Sequence, residues 1–216
     1  MTDRPILFSA PMVRALLDGR KSQTRRALKP IPWNKEGDAV DINIAPTARY
    51  TRGADGGFYY AFDHPRGGPL TAHRARFAIG DRLWVKETHA CVGDADRWTI
   101  YRASGYEAEC DRHGFDKPYP AESEIKWKPS IFMRRMLSRL TLTVTDVRVQ
   151  RLQDCSEADA LAEGVDRTQF PAVGEWGWPQ RKYAELWDSI NGAGAWKTNP
   201  WVVAVSFDVR KGNIDD

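Results

Sequence analysis

Residues 201–209 read WVVAVSFDV, and residues 140–149 read LTLTVTDVRV. Every second residue of the first segment is apolar, which predicts one long β-strand. The apolar residues of the second segment also alternate, but their parity changes near Thr145 and Asp146. This change predicts a strand with a bulge or bend at that point.

Shorter elements surround these two strands. Strands are expected over residues 5–8 and 82–87 and in WTIYRA (98–103), and helices over residues 9–19, 156–164 and 179–190. Because these elements do not alternate strand with helix, the pattern does not favour a doubly wound parallel sheet. The pattern predicts an α+β fold with a small β-barrel flanked by helices. Residues 30–78 and 88–125 show no sustained periodicity, and we expect them to be long insertions within a single domain spanning residues 1–216.

The composition of the 216 residues is that of a globular protein, with 42% hydrophobic and 28% charged residues. No apolar run reaches the roughly 18–20 residues of a membrane span, and the N-terminal segment makes a poor signal peptide. Three cysteines do not make a disulfide framework. We therefore expect a cytoplasmic protein without a membrane partner.

The net charge of +3 is unevenly distributed. Residues 1–35 hold eight basic and two acidic side chains, and residues 125–139 hold five basic and no acidic ones. Such segments are either solvated faces or surfaces for nucleic acid. Nine tryptophans are also unusual for this length. They either fill the core or stack on bases.

The segment GRKSQTRR (19–26) is the strongest candidate for chemistry. On a helix-like turn, Lys21 and Thr24 would lie on one face because they are three residues apart. A lysine whose pKa is lowered could then act as a base beside the threonine hydroxyl. A helix end followed by a basic loop is the ordinary alternative.

The order of motifs resembles the ASCH (activating signal cointegrator homology) family, a branch of the PUA-like barrel fold. A short strand and helix are followed by G-x-K-x-x-T-x-R, by G-D-x-L-x-V, by S-E-x-x-A-x-x-E-G and by a final long strand. The phrases GDRLWVKET, LWDSING and NPWV are similar to those of phage and prophage members. The resemblance covers nearly the whole chain.

The resemblance implies an activity as well as a fold. Some small bacterial ASCH proteins are amidohydrolases that release cytidine and acetate from N4-acetylcytidine without a cofactor or metal. Their proposed catalytic set of lysine, threonine and glutamate corresponds here to Lys21, Thr24 and Glu163. The implied substrate is an N4-acylated nucleoside or nucleobase. Other members are thought to bind RNA or to cut it, so a non-catalytic RNA-binding module and a single-stranded RNA nuclease are alternatives.

Three further residues are expected to contact the substrate. Either Arg26 or a backbone N–H of residues 20–25 could stabilise an oxyanion, and Trp84 could stack on a base. Glu87 either accepts a hydrogen bond from cytosine or is an exposed strand-end carboxylate paired with Lys86 or a nearby arginine. The Cys and His residues in THAC (88–91) and ECDRHG (109–114) match no zinc module, so no metal site is predicted.

Overall fold

The structure is a computed structural model that describes residues 2–29, 31–32, 39–93, 98–114, 121–166, 169–170, 175–176 and 178–216. The strands are β1 Asp3–Leu7, β2 Gln23–Ala27, β3 Ile31–Pro32, β4 Ala39–Val40, β5 Ala48–Arg52, β6 Phe58–Asp63, β7 Pro69–Arg74, β8 Arg82–Lys86, β9 His89–Val92, β10 Trp98–Tyr101, β11 Leu140–Arg151, β12 Gln169–Phe170, β13 Glu175–Trp176 and β14 Trp201–Lys211. The α-helices are α1 Ala10–Leu17, α2 Tyr106–His113, α3 Glu157–Ala162 and α4 Pro179–Asn191. Single 3₁₀ turns span Ile42–Ile44, Glu122–Glu124, Ser130–Phe132, Arg135–Leu137 and Leu152–Asp154.

The chain divides into two compact units. The first comprises Met1–Gly19, Asp81–Thr143 and Asp208–Asp216, and the second comprises Arg20–Gly80 and Val144–Phe207. Both secondary-structure types occur in each unit, as the α+β prediction requires. The expectation of one domain over the whole chain stays a prediction.

In the first unit, β1 lies parallel to β8, and β8 lies antiparallel to the start of β11. The side chains of β8 alternate between the two faces of the sheet. Leu83 and Val85 are buried, whereas the other three residues of the strand are partly exposed. A separate hairpin of β9 and β10 buries Ala90 and Ile100 in a small apolar cluster.

In the second unit, β2 pairs antiparallel with β14, and Thr24 lies opposite Val205. All five residues from Trp201 to Val205 are buried, so both faces of the strand are covered there. The helices α3 and α4 pack together, and Ala160, Tyr183 and Trp187 form an apolar cluster with Val202 of β14.

Five strands form one sheet in the order β1-β8-β11-β14-β2. Gly212 donates its backbone N–H to Arg139 and Leu152 donates to Pro200, which makes β11 and β14 antiparallel. The described part of this sheet is open, with β1 and β2 at its edges, so the closed barrel expected from the sequence is not observed.

The two segments expected to be irregular insertions contain regular structure. In residues 30–78, β5, β6 and β7 form an antiparallel meander. In residues 88–125, β9 and α2 accompany the strand expected at WTIY. The parts of both segments at residues 30, 33–38, 94–97 and 115–120 lie outside the described residues.

Three helices and the long strands are confirmed. α1 follows Ser9, α3 carries a capping box of Ser156 and Asp159, and α4 ends before Gly192. β11 is continuous, and Val144 and Val147 are both buried on it. The bulge or bend expected near Thr145 and Asp146 stays a prediction. No helix in the described ranges is both long enough and apolar enough to cross a membrane.

Candidate functional site

The segment GRKSQTRR forms the approach to a strand, not a helix-like turn. Gly19, with φ +73°, ends the α1 region, and Lys21 then makes an isolated antiparallel bridge with Glu163. β2 begins at Gln23 and pairs with β14. The predicted helical adjacency of Lys21 and Thr24 is therefore wrong, because β2 is held extended by its backbone hydrogen bonds to β14.

The ammonium of Lys21 lies against the carboxylate of Glu163. Lys21 Nζ donates to Glu163 Oε2 at 2.9 Å, to the Glu163 carbonyl at 2.8 Å and to the Gln23 carbonyl at 2.8 Å. The exposed fractions of the two side chains are 0% and 2%. Two of the three residues that the resemblance implies to be catalytic are therefore in direct contact.

The position of Glu163 follows from the short helix before it. Ser156 Oγ accepts a hydrogen bond from the Asp159 N–H at 3.1 Å, which fixes the start of α3. Glu163 is the C-cap of this helix, and Ser22 N donates to the Ala162 carbonyl at 2.9 Å. The backbone pairing thus brings the end of α3 to the approach to β2.

Two further donors reach Glu163, and the sequence analysis missed both as partners of this carboxylate. Arg25 Nη1 lies 3.2 Å from Glu163 Oε1, and the Tyr183 hydroxyl donates to the same oxygen at 3.3 Å. Arg25 Nη2 also lies 3.0 Å from Asp159 Oδ2. The spacing of Lys21, Gln23 and Arg25 is the signal that could have found Arg25, since alternate residues of a strand share a face.

Burial shifts the pKa values of the side chains that surround Glu163. Desolvation lowers the pKa of Lys21 below its ordinary value, although Glu163 acts to raise it. Burial also raises the pKa of Tyr183, so its hydroxyl stays a hydrogen-bond donor. A lysine whose pKa is lowered loses its proton more readily than an exposed lysine, and its neutral amine can then act as a general base.

Thr24 and Arg26 occupy the alternate positions of β2. Alternation assigns their side chains to the strand face opposite to that of Gln23 and Arg25. Thr24 is buried, and Arg26 is partly buried. Burial lowers the pKa of Arg26, and Arg76 acts in the same direction, while Glu163 opposes it.

Trp84 and Glu87 belong to the first unit. Trp84 is partly exposed on β8, and Lys86 Nζ lies 5.4 Å from its ring centroid. Glu87 is buried, and its carboxylate accepts two hydrogen bonds from Arg139, at 2.8 and 2.9 Å. Glu87 is therefore paired with an arginine, as the alternative expected, but the expectation that it is exposed is wrong. Contact of either residue with a substrate stays a prediction.

No group of three or more His, Cys, Asp or Glu side chains in the described part of the chain is arranged to hold a metal ion. His89 and Cys110 are buried, while Cys91 is exposed. Comparison of the chain with family models, with curated proteins and with solved structures finds no match.

Proposed function

We propose that this protein is an ASCH-type amidohydrolase that cleaves the exocyclic amide of N4-acylated cytosine or cytidine. One observation carries the proposal: Lys21 and Glu163, two of the three implied catalytic residues, form a buried pair at 2.9 Å. They lie 142 positions apart in the chain. Kinship with the PUA-like fold and residence in the cytoplasm belong to the same proposal.

The first step transfers an acyl group to the protein. Neutral Lys21 takes the hydroxyl proton of Thr24 as Thr24 Oγ bonds to the amide carbonyl carbon; because alternation separates Thr24 from the Arg25 face of β2, this transfer needs one bridging water molecule. The C–N4 bond then breaks, and N4 receives the proton from the Lys21 ammonium. Cytosine departs readily because its ring delocalises the electron pair of the departing nitrogen. Arg26, two residues from Thr24 on the same face of β2, is the candidate donor to the oxyanion.

The second step returns the protein to its starting state. Water attacks the acyl carbon and gives a proton to Lys21, the bond from carbon to Thr24 Oγ breaks, and the hydroxyl is restored by that proton. In the alternative form, Lys21 activates water for direct attack on the amide and Thr24 carries no acyl group. Both forms need Lys21 as the proton carrier.

Release of cytidine from N4-acetylcytidine tests the proposal. We expect turnover without added metal or cofactor, and Lys21→Ala should lower kcat/KM by at least about 100-fold. Lys29→Ala is the matched control, since it removes an exposed lysine just beyond β2. Absence of cytidine release by folded wild-type protein would contradict the proposal.

The role of Thr24 is tested separately. If Thr24 is the nucleophile, Thr24→Ala should abolish turnover, Thr24→Ser should retain part of it, and mass spectrometry of quenched wild-type reactions should find an acylated protein. Retention of most activity in Thr24→Ala would assign the attack to water.

RNA binding is a second candidate function, favoured by the surface of residues 125–139. Ile131, Phe132 and Met136 are exposed there, and Lys126, Lys128 and Arg134 are exposed beside them in the sequence. Exposed aromatic and basic side chains suit single-stranded RNA. Binding that weakens steeply with salt, without turnover, would support this function. Shortening of the RNA would instead indicate the nuclease.

A further inference from the structure

The buried pair at the site is part of a longer chain of alternating charges. Lys21 contacts Glu163, Glu163 contacts Arg25, and Arg25 contacts Asp159, at 2.9, 3.2 and 3.0 Å. The chain of contacts reaches an exposed side chain at Arg148, whose Nη2 lies 2.9 Å from Asp159 Oδ1. One buried carboxylate therefore has two buried cations against it, one on each oxygen.

The two cations differ in how easily they lose a proton. Burial acts to lower the pKa of Arg25, but Cys155 and Glu163 raise it by more, so Arg25 stays charged. Lysine changes its ionisation readily when it is buried. When Lys21 is neutral, Glu163 and Arg25 balance each other. When Lys21 is charged, these three groups carry a net charge of +1, which Asp159 offsets through its contact with Arg25.

We propose that Arg25 is a positioning residue that holds the Glu163 carboxylate against Lys21 throughout the reaction, so that Lys21 alone carries the proton. The inference rests on the proposed function and deepens it. Arg25 and Tyr183 both hold Glu163 Oε1. Glu163 consequently keeps Lys21 in place but does not protonate the departing nitrogen. The proton that Lys21 takes from the nucleophile is the one it delivers to N4.

Titratable groups of β2, α3, α4 and the turn before α3 surround this cluster. β2 contributes Arg26, which acts to lower the pKa of Lys21. The turn before α3 contributes Cys155, whose pKa burial raises to about 11, so it is neutral near pH 7. α4 contributes Tyr183, which is also neutral there because burial raises its pKa. Asp159 of α3 is ionised: burial acts to raise its pKa, but Arg148 and Ser156 lower it by more.

Two substitutions should move the titration of Lys21 in opposite directions. Arg25→Gln removes the second cation, so the Lys21 ammonium is favoured and its midpoint should rise by about one pH unit. Asp159→Asn removes the anion beyond Arg25, so the positive charge near Lys21 grows and the midpoint should fall. Arg25→Lys keeps the charge and should leave the midpoint near that of the wild type.

The titration midpoint of Lys21 is measured by NMR of protein labelled with ¹³Cε-lysine. The Lys21 resonance is identified as the one that is missing from the spectrum of Lys21→Arg. The pH dependence of kcat/KM on N4-acetylcytidine is the second readout, and its acidic limb should move with the NMR midpoint. Arg181→Gln is the matched control for charge, since Arg181 on α4 is exposed and pairs with Glu185. Ser156→Ala controls for Asp159→Asn, because it weakens the same helix cap without changing charge.

The outcomes separate this inference from the proposed function. Opposite shifts for Arg25→Gln and Asp159→Asn, with both controls unmoved, support the role of Arg25 even if the wild type releases no cytidine. Equal midpoints in the wild type, Arg25→Gln and Asp159→Asn would overturn it even if the protein is an active amidohydrolase. If Arg25→Gln fails to fold, the fall expected for Asp159→Asn decides the question alone, because a purely structural role predicts no shift.

Discussion

At the scale of single residues, both units bury charged side chains and pair them closely. In the first unit, Arg139 donates to both oxygens of Glu87 and to Ser104 Oγ, and its guanidinium lies 4.0 Å from the centroid of the Tyr101 ring. Such bidentate geometry is worth more than an exposed ion pair, because the partners are already held in place. The pairing gives Glu87 a structural role whether or not it also meets a substrate.

Glu87→Gln tests that structural role. It leaves Arg139 with only the longer contact to Glu109, at 3.7 Å. Removing one partner of a buried pair costs about 3 kcal/mol of the free energy of unfolding. Urea denaturation measures the loss, and Glu157→Gln, on the exposed start of α3, is the control. A variant of unchanged stability but reduced kcat/KM would instead favour the predicted contact of Glu87 with substrate.

Residue types and spacing predicted some of the residues of the candidate site but not the further side chains that contact Glu163. The motif resemblance identified Lys21 and Glu163, which the structure brings together. Arg25 is not distinguished from the other basic residues of this segment, because GRKSQTRR has no apolar residue whose alternation would reveal a strand. Tyr183 falls on the apolar face of the helix predicted over residues 179–190. Its ring packs edge-on against Trp187, as that assignment requires, while its hydroxyl reaches Glu163.

At the scale of elements, strong periodicity was a reliable guide, and weak periodicity was not. α4 and β14 were predicted because their apolar residues recur at helical and strand spacing. α2 (YEAECDRH) was missed because it is polar and begins after Gly105, which offers no capping side chain. β6 (FYYAFD) was missed because its aromatic residues are consecutive, so no period of two is visible.

The capping box of α3 gives the prediction at this scale. Ser156→Ala removes the acceptor for the Asp159 N–H and should lower the free energy of unfolding by about 1 kcal/mol. Ser156→Asp supplies a carboxylate at the same position and should restore most of the stability. Chemical denaturation of the three proteins measures both effects. Equal stability of Ser156→Ala and wild type would show that the cap contributes nothing.

At the scale of the whole molecule, the charge imbalance of the sequence is largely resolved by pairing. The excess of positive charge in residues 1–35 includes Lys21 and Arg25, which are buried against carboxylates supplied by residues 159 and 163. Arg20 likewise lies 3.4 Å from Asp166. The basic N-terminal segment is therefore not simply an exposed positive surface, whereas residues 125–139 do expose lysines.

Because several carboxylates are paired with arginines, the stability of the folded protein depends on pH in the acidic range. Hydrogen bonds from Arg82 and Arg135 lower the pKa of Asp3, and one from Arg135 lowers that of Asp215. A carboxyl group whose pKa is lower in the folded protein than in the unfolded chain stabilises the fold fully at pH values above the unfolded pKa, here 3.8. This stabilisation is lost as the pH falls through the lower pKa of the folded state. Urea midpoints should therefore fall progressively below about pH 4, and by less at high salt. A midpoint that is constant from pH 7 to pH 3 would contradict this expectation.

The alternation along β2 also restricts how this gene segment can evolve. Substitution at one position changes one side chain, but inserting or deleting a single residue between Gln23 and Ala27 would exchange the two faces of the strand for every position beyond it. A deletion before Arg25 would move Arg25 to the face of Thr24 and withdraw it from Glu163. Changes of length in this segment should therefore be selected against far more strongly than changes of residue.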